Sequence, residues 1–473
     1  MATIPFIGPS YDVEARSFDV QRSINLYPVM AEVQATKSVS ALRKVPGFSL
    51  FATAPAGGPI RNGFSSTSGR AFVVSSQYFV EINSDGSTTT HGSLNTQSAR
   101  VCIAENNLQI MVVDGVDGWI FTKSTNNWAQ IVDSEFPVAS YVTYQDGYFI
   151  VNDINTQNMW ISALNDGMSW DALDYTTVES SPDNLTCVFS DRGNLFAVGN
   201  RSIEVYQNTG AAAFPFQRIP GAIIQTGCEA PFTFQKFGGS VAWLGTDEQG
   251  QGVVWLLNGY TPQRISTAAI ERKIATIINF SASYAFVYHE RGHLFYCLQI
   301  PGLDTTLCFD AQTQQWHERM RKNADTNSME LMNVSCFMFF EKLNLVGSRT
   351  DGKIYRMSLD IQDDDGDEMV WIRISPHQQD EKRLLSYGSF ELDVETGVGL
   401  NTGQGSDPQI MLRYSDDGGN TWSSELWRSP GKMGQYRNRA IWRQLGQARD
   451  RVFWVSGSDP VFTQLNAAFV NST

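Results

Sequence analysis

His289-Glu290-Arg291-Gly292-His293 carries the H-E-x-x-H spacing of a zinc site. That chemistry requires a helix, on which imidazoles four residues apart project from one face toward one metal while the Glu reaches its bound water. The flanking residues argue for a different conformation. Tyr284-Ala285-Phe286-Val287-Tyr288 and Leu294-Phe295-Tyr296-Cys297 are both strand-like, and Gly292 stands where the chain must reverse. On a hairpin, His289 and His293 flank a turn and need not converge. The chain spells no nucleophile elbow, phosphate loop, dinucleotide-binding glycine pattern or Cys/His metal spacing. No catalytic, cofactor-binding or metal-ligating residue is therefore assigned, and the chain reads as a non-enzyme.

A second motif is purely structural. Ser415-Asp416-Asp417-Gly418-Gly419-Asn420-Thr421-Trp422 resembles the Asp-box, S-x-D-x-G-x-T-W, of sialidases and other carbohydrate-active or carbohydrate-binding proteins, matching at Ser415, Asp417, Gly419, Thr421 and Trp422. Its physics is that of a hairpin clasp: the carboxylate accepts backbone N–H bonds across the turn, Gly permits positive φ, and Trp covers the apolar side. In those families the box lies away from the active site. A sialidase would also need clustered arginines to hold a carboxylate, and one box does not identify them.

The elements that position these motifs repeat. Gly69, Asn107, Gly147, Gly193, Gly239, Gly292 and Lys342 each open a short alternating apolar run, at intervals of 38 to 53 residues. Each opening is followed by a second run, such as 78–82, 119–121, 159–162, 203–206, 253–257, 306–310 and 353–357. Several units close on a bulky edge residue, Trp128, Trp170, Phe216 or Trp316. A period near 40–50 residues of short strands is that of four-stranded propeller blades, whose faces stack around an axis because a lone hairpin leaves edges and an apolar face unpaired. The reading is an all-β protein with a seven-bladed β-propeller over 62–362, six blades being the alternative.

Residues 1–61 carry few strand signals and six prolines, and read as an extended N-terminal arm. Within it, 42–52 is the candidate for a strand that closes the last blade. Ile270, Ile274, Ile277 and Ile278 predict one face of a short helical insertion near 267–280. The run Asp363-Asp364-Asp365-Gly366-Asp367-Glu368 marks a domain boundary and reads as a solvated linker, because in calcium-loop register both end positions, Ile361 and Ile372, lack a carboxylate. Beyond it, 369–473 has longer alternating strands at 369–374, 389–394, 409–414 and 452–455, which suit a β-sandwich or jelly roll.

Composition narrows the function. Aromatic residues make up 12% and charged residues 18% of 473, with 39 Gly, as in a strand-rich folded protein. With 35 Lys and Arg against 49 Asp and Glu, the net charge of -14 disfavours a protein that grips DNA phosphates. The six cysteines, Cys102, Cys187, Cys228, Cys297, Cys308 and Cys336, have no paired spacing and read as buried apolar residues in a reducing compartment. No secretory signal and no membrane insertion are expected, since no apolar run nears ~18 residues.

The stretch Ser17-Phe18-Asp19-Val20-Gln21-Arg22-Ser23-Ile24-Asn25-Leu26-Tyr27-Pro28, followed by Leu42-Arg43-Lys44-Val45-Pro46-Gly47-Phe48, resembles the opening of tail hub proteins of short-tailed bacteriophages, also called packaged-DNA stabilisation proteins or tail accessory factors. The order of parts matches too: arm, β-repeats with Ser202-Ile203-Glu204-Val205-Tyr206-Gln207 at their middle, then a C-terminal β domain. The resemblance implies a virion tail protein assembled in the host cytoplasm, as a homohexameric ring below portal and adaptor proteins. It would extend the channel, help retain packaged DNA and dock a tailspike, fibre or needle. DNA would pass through without sequence-specific binding. Two other readings stand beside it: a carbohydrate-binding or glycan-hydrolysing propeller, prompted by the Asp-box, and a monomeric cytoplasmic scaffold.

Overall fold

The computed structural model describes residues 2–33, 38–179, 181–211 and 214–473. Almost every regular element is a strand, and the repeat is built around its turns. Asp146-Gly147, Arg192-Gly193, Gly238-Gly239, Arg291-Gly292 and Glu341-Lys342 each hold both residues at positive φ. That is the two-residue hairpin whose backbone twist matches the strands it joins.

Six repeats form free-standing four-stranded antiparallel sheets, at 60–93, 102–130, 142–177, 185–224, 235–264 and 336–358, the last completed by Gly47–Thr53. Six such blades, rather than the expected seven, are therefore found among the described residues. The remaining repeat, 284–322, is a four-stranded meander that belongs to a twelve-stranded sheet. Its outer strand Gln315–Lys322 meets the N-terminal strand Val20–Ile24 in a parallel bridge at Ile24 and Glu318, and Val20–Ile24 pairs onward with Trp371–Ile374. An outer strand presents unpaired backbone groups, and here a strand from the chain's beginning covers them.

The described residues before 62 do not form one extended arm. Gly47–Thr53 runs antiparallel to Lys353–Ser358, from Gly47 opposite Ser358 to Thr53 opposite Lys353, so a strand from the chain's beginning completes the sheet made by the last repeat. Leu42 does not take part in that closure. Its strand, Ser40–Lys44, pairs with Leu26–Met30 and Gln464–Ser472, and Leu42 packs into the C-terminal core. Pro46, which has no N–H to donate, separates the two strands.

The C-terminal domain is a β-sandwich completed by the chain's beginning. One sheet combines Ala2–Ile4, Leu26–Met30 and Ser40–Lys44 with Gln464–Ser472, Leu385–Val394 and Ala440–Arg443. The facing sheet combines Tyr11–Asp12 and Val20–Ile24 with Trp371–Ile374, Asp450–Gly457 and Ile410–Ser415. Phe6, Leu26, Leu42, Phe390, Leu412, Trp442 and Phe453 fill the space between.

Helix α1 (Ala268–Ala275) buries Ala269, Ile270 and Ile274. The predicted four-isoleucine face is shorter than expected, because the helix stops at Ala275 and Ile278, past its end, is fully exposed. The acidic run is likewise not a solvated linker. Phe48 donates its N–H to the Asp363 carbonyl at 2.9 Å, Asp365 donates back to Phe48 at 2.9 Å, and the Leu50 N–H reaches Asp365 Oδ1 at 3.0 Å. Burial pushes the Asp364 carboxyl up to about 6, against the pull of Arg321. All six cysteines are free and buried.

Candidate functional site

The histidine motif is a hairpin. His289 lies opposite Leu294 and Glu290 opposite His293 on paired strands joined by Arg291-Gly292. His289 is exposed, while His293 is buried with Nδ1 at 2.8 Å from Asp310 and its ring stacked on Phe295. The two imidazoles therefore serve different environments. Among the described residues, no three His, Cys, Asp or Glu side chains are placed to hold a metal.

The Asp-box residues form one local clasp. Asp417 Oδ1 accepts from the Ser415 hydroxyl at 2.7 Å and from the N–H groups of Asn420 and Thr421 at 2.9 Å each, while Oδ2 accepts the Thr421 hydroxyl at 2.6 Å. These donors hold the carboxyl well below the usual carboxylate range. The Gly419 N–H donates to Ser415 Oγ at 2.8 Å, and Gly418 and Gly419 have φ of 72° and 88°. Trp422 packs edge-on to Trp454, 5.1 Å between centroids, over a core that includes Val20 and Ile372. The clasp also holds the N-terminal segment: Arg16 donates to the Gly419 carbonyl at 3.0 Å, and His377 joins the Arg16 carbonyl to Asp450.

The densest polar construction is the junction where the N-terminal segment, the 284–322 meander and the C-terminal sandwich meet. Glu318 has a fully buried carboxylate. Arg22 grips it with two bonds, 3.1 and 2.5 Å, and Lys273 of α1 adds a third at 2.6 Å. Burial opposes the charge, but the Arg22 guanidinium and the Lys273 ammonium win and hold Glu318 well below its usual range. Asn25 sits at the corner where the chain passes from one sandwich sheet to the other, at a φ of 53°. Its amide donates to the Met320 and Val370 carbonyls at 2.8 and 2.7 Å and accepts the Met320 N–H at 3.0 Å. One side chain thus ties the meander, the N-terminal segment and the interdomain connection. Arg373, fully buried, donates to the carbonyls of Phe6 and Pro9 at 2.6 and 2.9 Å and to Ser23 Oγ and Gln21 Oε1 at 3.0 Å each. Burial pulls its pKa down to about 9, still well above neutral pH.

Sequence reasoning missed Arg22, Asn25, Lys273, Glu318 and Arg373 as a group. Part of the signal was present, because Arg22, Asn25 and the fully buried Leu26 and Tyr27 lie within the 17–28 segment that carries the family resemblance.

A second polar feature lies on the propeller axis. A cavity of about 490 Å³ is lined by the first strands of several blades, through Asn62, Cys102, Phe189, Gln235 and Phe337, and by Phe286 of the meander. Arg100 and Lys236 are its charged residues, and none of its lining residues is Asp or Glu.

Comparison with known proteins matches both parts of this architecture. Residues 2–362 match the family model described as the β-propeller of bacteriophage P22 Gp10, and residues 370–473 match that of the P22 Gp10 β-sandwich. The chain belongs to the bacteriophage P22 Gp10 family. The two P22 Gp10 matches leave the acidic run 363–368 between them. A relative from Salmonella phage P22, tail hub protein gp10, is 21% identical over 339 residues, which is 69% of each chain. The likeness to tail hub proteins read from residues 17–28 and 42–48 is this family relationship. Similar solved structures include the extracellular domain of the BT4673 two component system from B. thetaiotaomicron, at a TM-score of 0.45 and 9% identity over 65% of this chain and 39% of that one. The WD40 β-propeller domain of Doa1 has a TM-score of 0.42 and 9% identity over 66% of this chain and 97% of its own.

Proposed function

We propose that this chain is a structural, non-enzymatic hub of a phage tail, assembled as a homohexameric ring that extends the portal channel, helps retain packaged DNA and docks other tail proteins. The observation that carries the reading is the family match across both domains, 2–362 and 370–473, to a protein whose relative is named a tail hub. The junction supports it mechanically. Arg22, Asn25, Glu318 and Arg373 join propeller and sandwich through buried, well-satisfied polar contacts, which suits a part that transmits load without flexing. In this reading the 284–322 meander takes a seventh position of the propeller, a view supported by its share in lining the axial cavity. A net charge of -14 suits a channel wall along which DNA slides without adhering. Assembly takes place in the host cytoplasm, with portal and adaptor proteins above and a tailspike, fibre or needle below. The Asp-box residues bond one another, so they add no support to a glycan-binding reading.

Electron microscopy of purified virions, with this chain located by labelling, tests the proposal. A six-membered ring of the chain continuing the portal channel is expected. Absence from the virion, or a position remote from the portal axis, overturns it.

A further inference from the structure

The axial cavity contains a half-buried cation, Arg100, and no acidic side chain among the described residues lining it. Arg100 donates Nη2 to the Ser335 carbonyl at 2.7 Å, but its buried Nε has no hydrogen-bond partner among the described residues. Its guanidinium lies 4.1 Å from the Tyr284 ring centroid and 5.3 Å from that of Phe232. Tyr284 is itself fixed, its hydroxyl donating to Gln299 Oε1 at 2.9 Å and within 3.0 Å of the Val334 carbonyl. The other charge, Lys236, already has Asp191 at 3.3 Å. One uncompensated positive charge therefore faces a cavity of about 490 Å³ whose walls include Phe64, Phe189, Phe286 and Phe337.

We propose that this axial cavity binds an apolar monocarboxylate, with Arg100 pairing the carboxylate and the phenylalanines enclosing the apolar body. Three features select that chemistry. An unpaired charge in low dielectric is costly and an ion pair relieves the cost. The guanidinium, held over the Tyr284 ring, is a cation that donates a directional hydrogen bond to a carboxylate oxygen. The aromatic walls favour a ligand with one charged end over a small, strongly hydrated anion. Burial also lowers the Arg100 pKa. The site is independent of the proposed tail role, and its ligand could be a free acid or the end of a neighbouring polypeptide.

The test is calorimetric titration of the intact chain with 2-naphthoate, with neutral 2-naphthalenemethanol and with inorganic phosphate. Naphthoate is expected to bind at least tenfold more tightly than the alcohol, and equimolar phosphate is expected not to displace it. Arg100→Gln is expected to weaken naphthoate at least tenfold while leaving the alcohol unchanged. A short peptide with an apolar C-terminal residue, compared with its C-terminal amide, separates the two ligand sources: displacement of naphthoate by the free acid alone assigns the site to a polypeptide end, and no displacement assigns it to a free acid. No naphthoate binding, equal binding of acid and alcohol, or displacement by phosphate overturns the proposal. The acid and alcohol comparison uses the unaltered chain, so it decides even if Arg100→Gln fails to fold.

Discussion

Glu318→Gln is the sharpest perturbation of the junction. In the parent, one fully buried carboxylate satisfies Arg22 and Lys273, whose side chains are 25% and 15% exposed. The amide keeps the shape and one acceptor but leaves two cations facing each other without an anion. Removing one partner of a buried ion pair costs about 3–5 kcal/mol. Because Arg22 and Lys273 both reach some water, a loss of about 3 kcal/mol is expected, at the lower end of that range. The pH dependence supplies an internal control. Glu318 is held below its ordinary value of 4.5, so its contribution is present above that value and is lost as pH falls below it. Urea unfolding at pH 7 should therefore separate parent and variant clearly, and the gap should narrow steadily below about pH 4.5. Limited proteolysis should cut residues 2–33 faster in the variant, since Arg22 is one of their anchors. A difference under about 0.5 kcal/mol at pH 7, within the range of an ordinary surface change, would refute the reasoning. So would a gap that stays constant with acid.

Three further outcomes follow from the same geometry. Asn25→Ala removes three hydrogen bonds worth about 1 kcal/mol each and forces a Cβ-bearing residue without a local polar partner to hold a φ of 53°, so a loss of about 3–4 kcal/mol is expected in chemical denaturation, with Asn25→Gly recovering about 1 kcal/mol. Asp364→Asn should stabilise by about 1–2 kcal/mol at pH 8 and by little at pH 4, because a carboxyl raised to about 6 contributes favourably when protonated and loses that contribution as pH rises through 6; thermal melts at both values check it. Lys342→Gly, at a φ of 62° in the Glu341-Lys342 turn, should raise stability by about 0.5–1 kcal/mol without altering the near-UV circular dichroism.

Much of the local structure was legible. The pivots at Gly147, Gly193, Gly239, Gly292 and Lys342 mark hairpins because positive φ is a property of two adjacent residues. The rejection of His289 and His293 as metal ligands rested on the same property at Gly292. The Asp-box side-chain bonds span four residues or fewer, within reach of a local motif. The junction was illegible for the opposite reason: Arg22 lies 296 residues from Glu318, and Arg373 lies 367 from Phe6.

The sequence by itself determined strands, turns and the repeat, all set by side-chain alternation and backbone preference over a few residues. Only the tertiary structure decided which edge each strand would join. It divided the strands of 2–33 and 38–53 between both sandwich sheets and the last blade, and fused the 284–322 meander to the sandwich rather than leaving it free-standing. An unpaired strand edge offers the same N–H and C=O groups to any partner, so the choice lies with the burial and the charged contacts that distant residues such as Leu42, Glu318 and Arg373 supply.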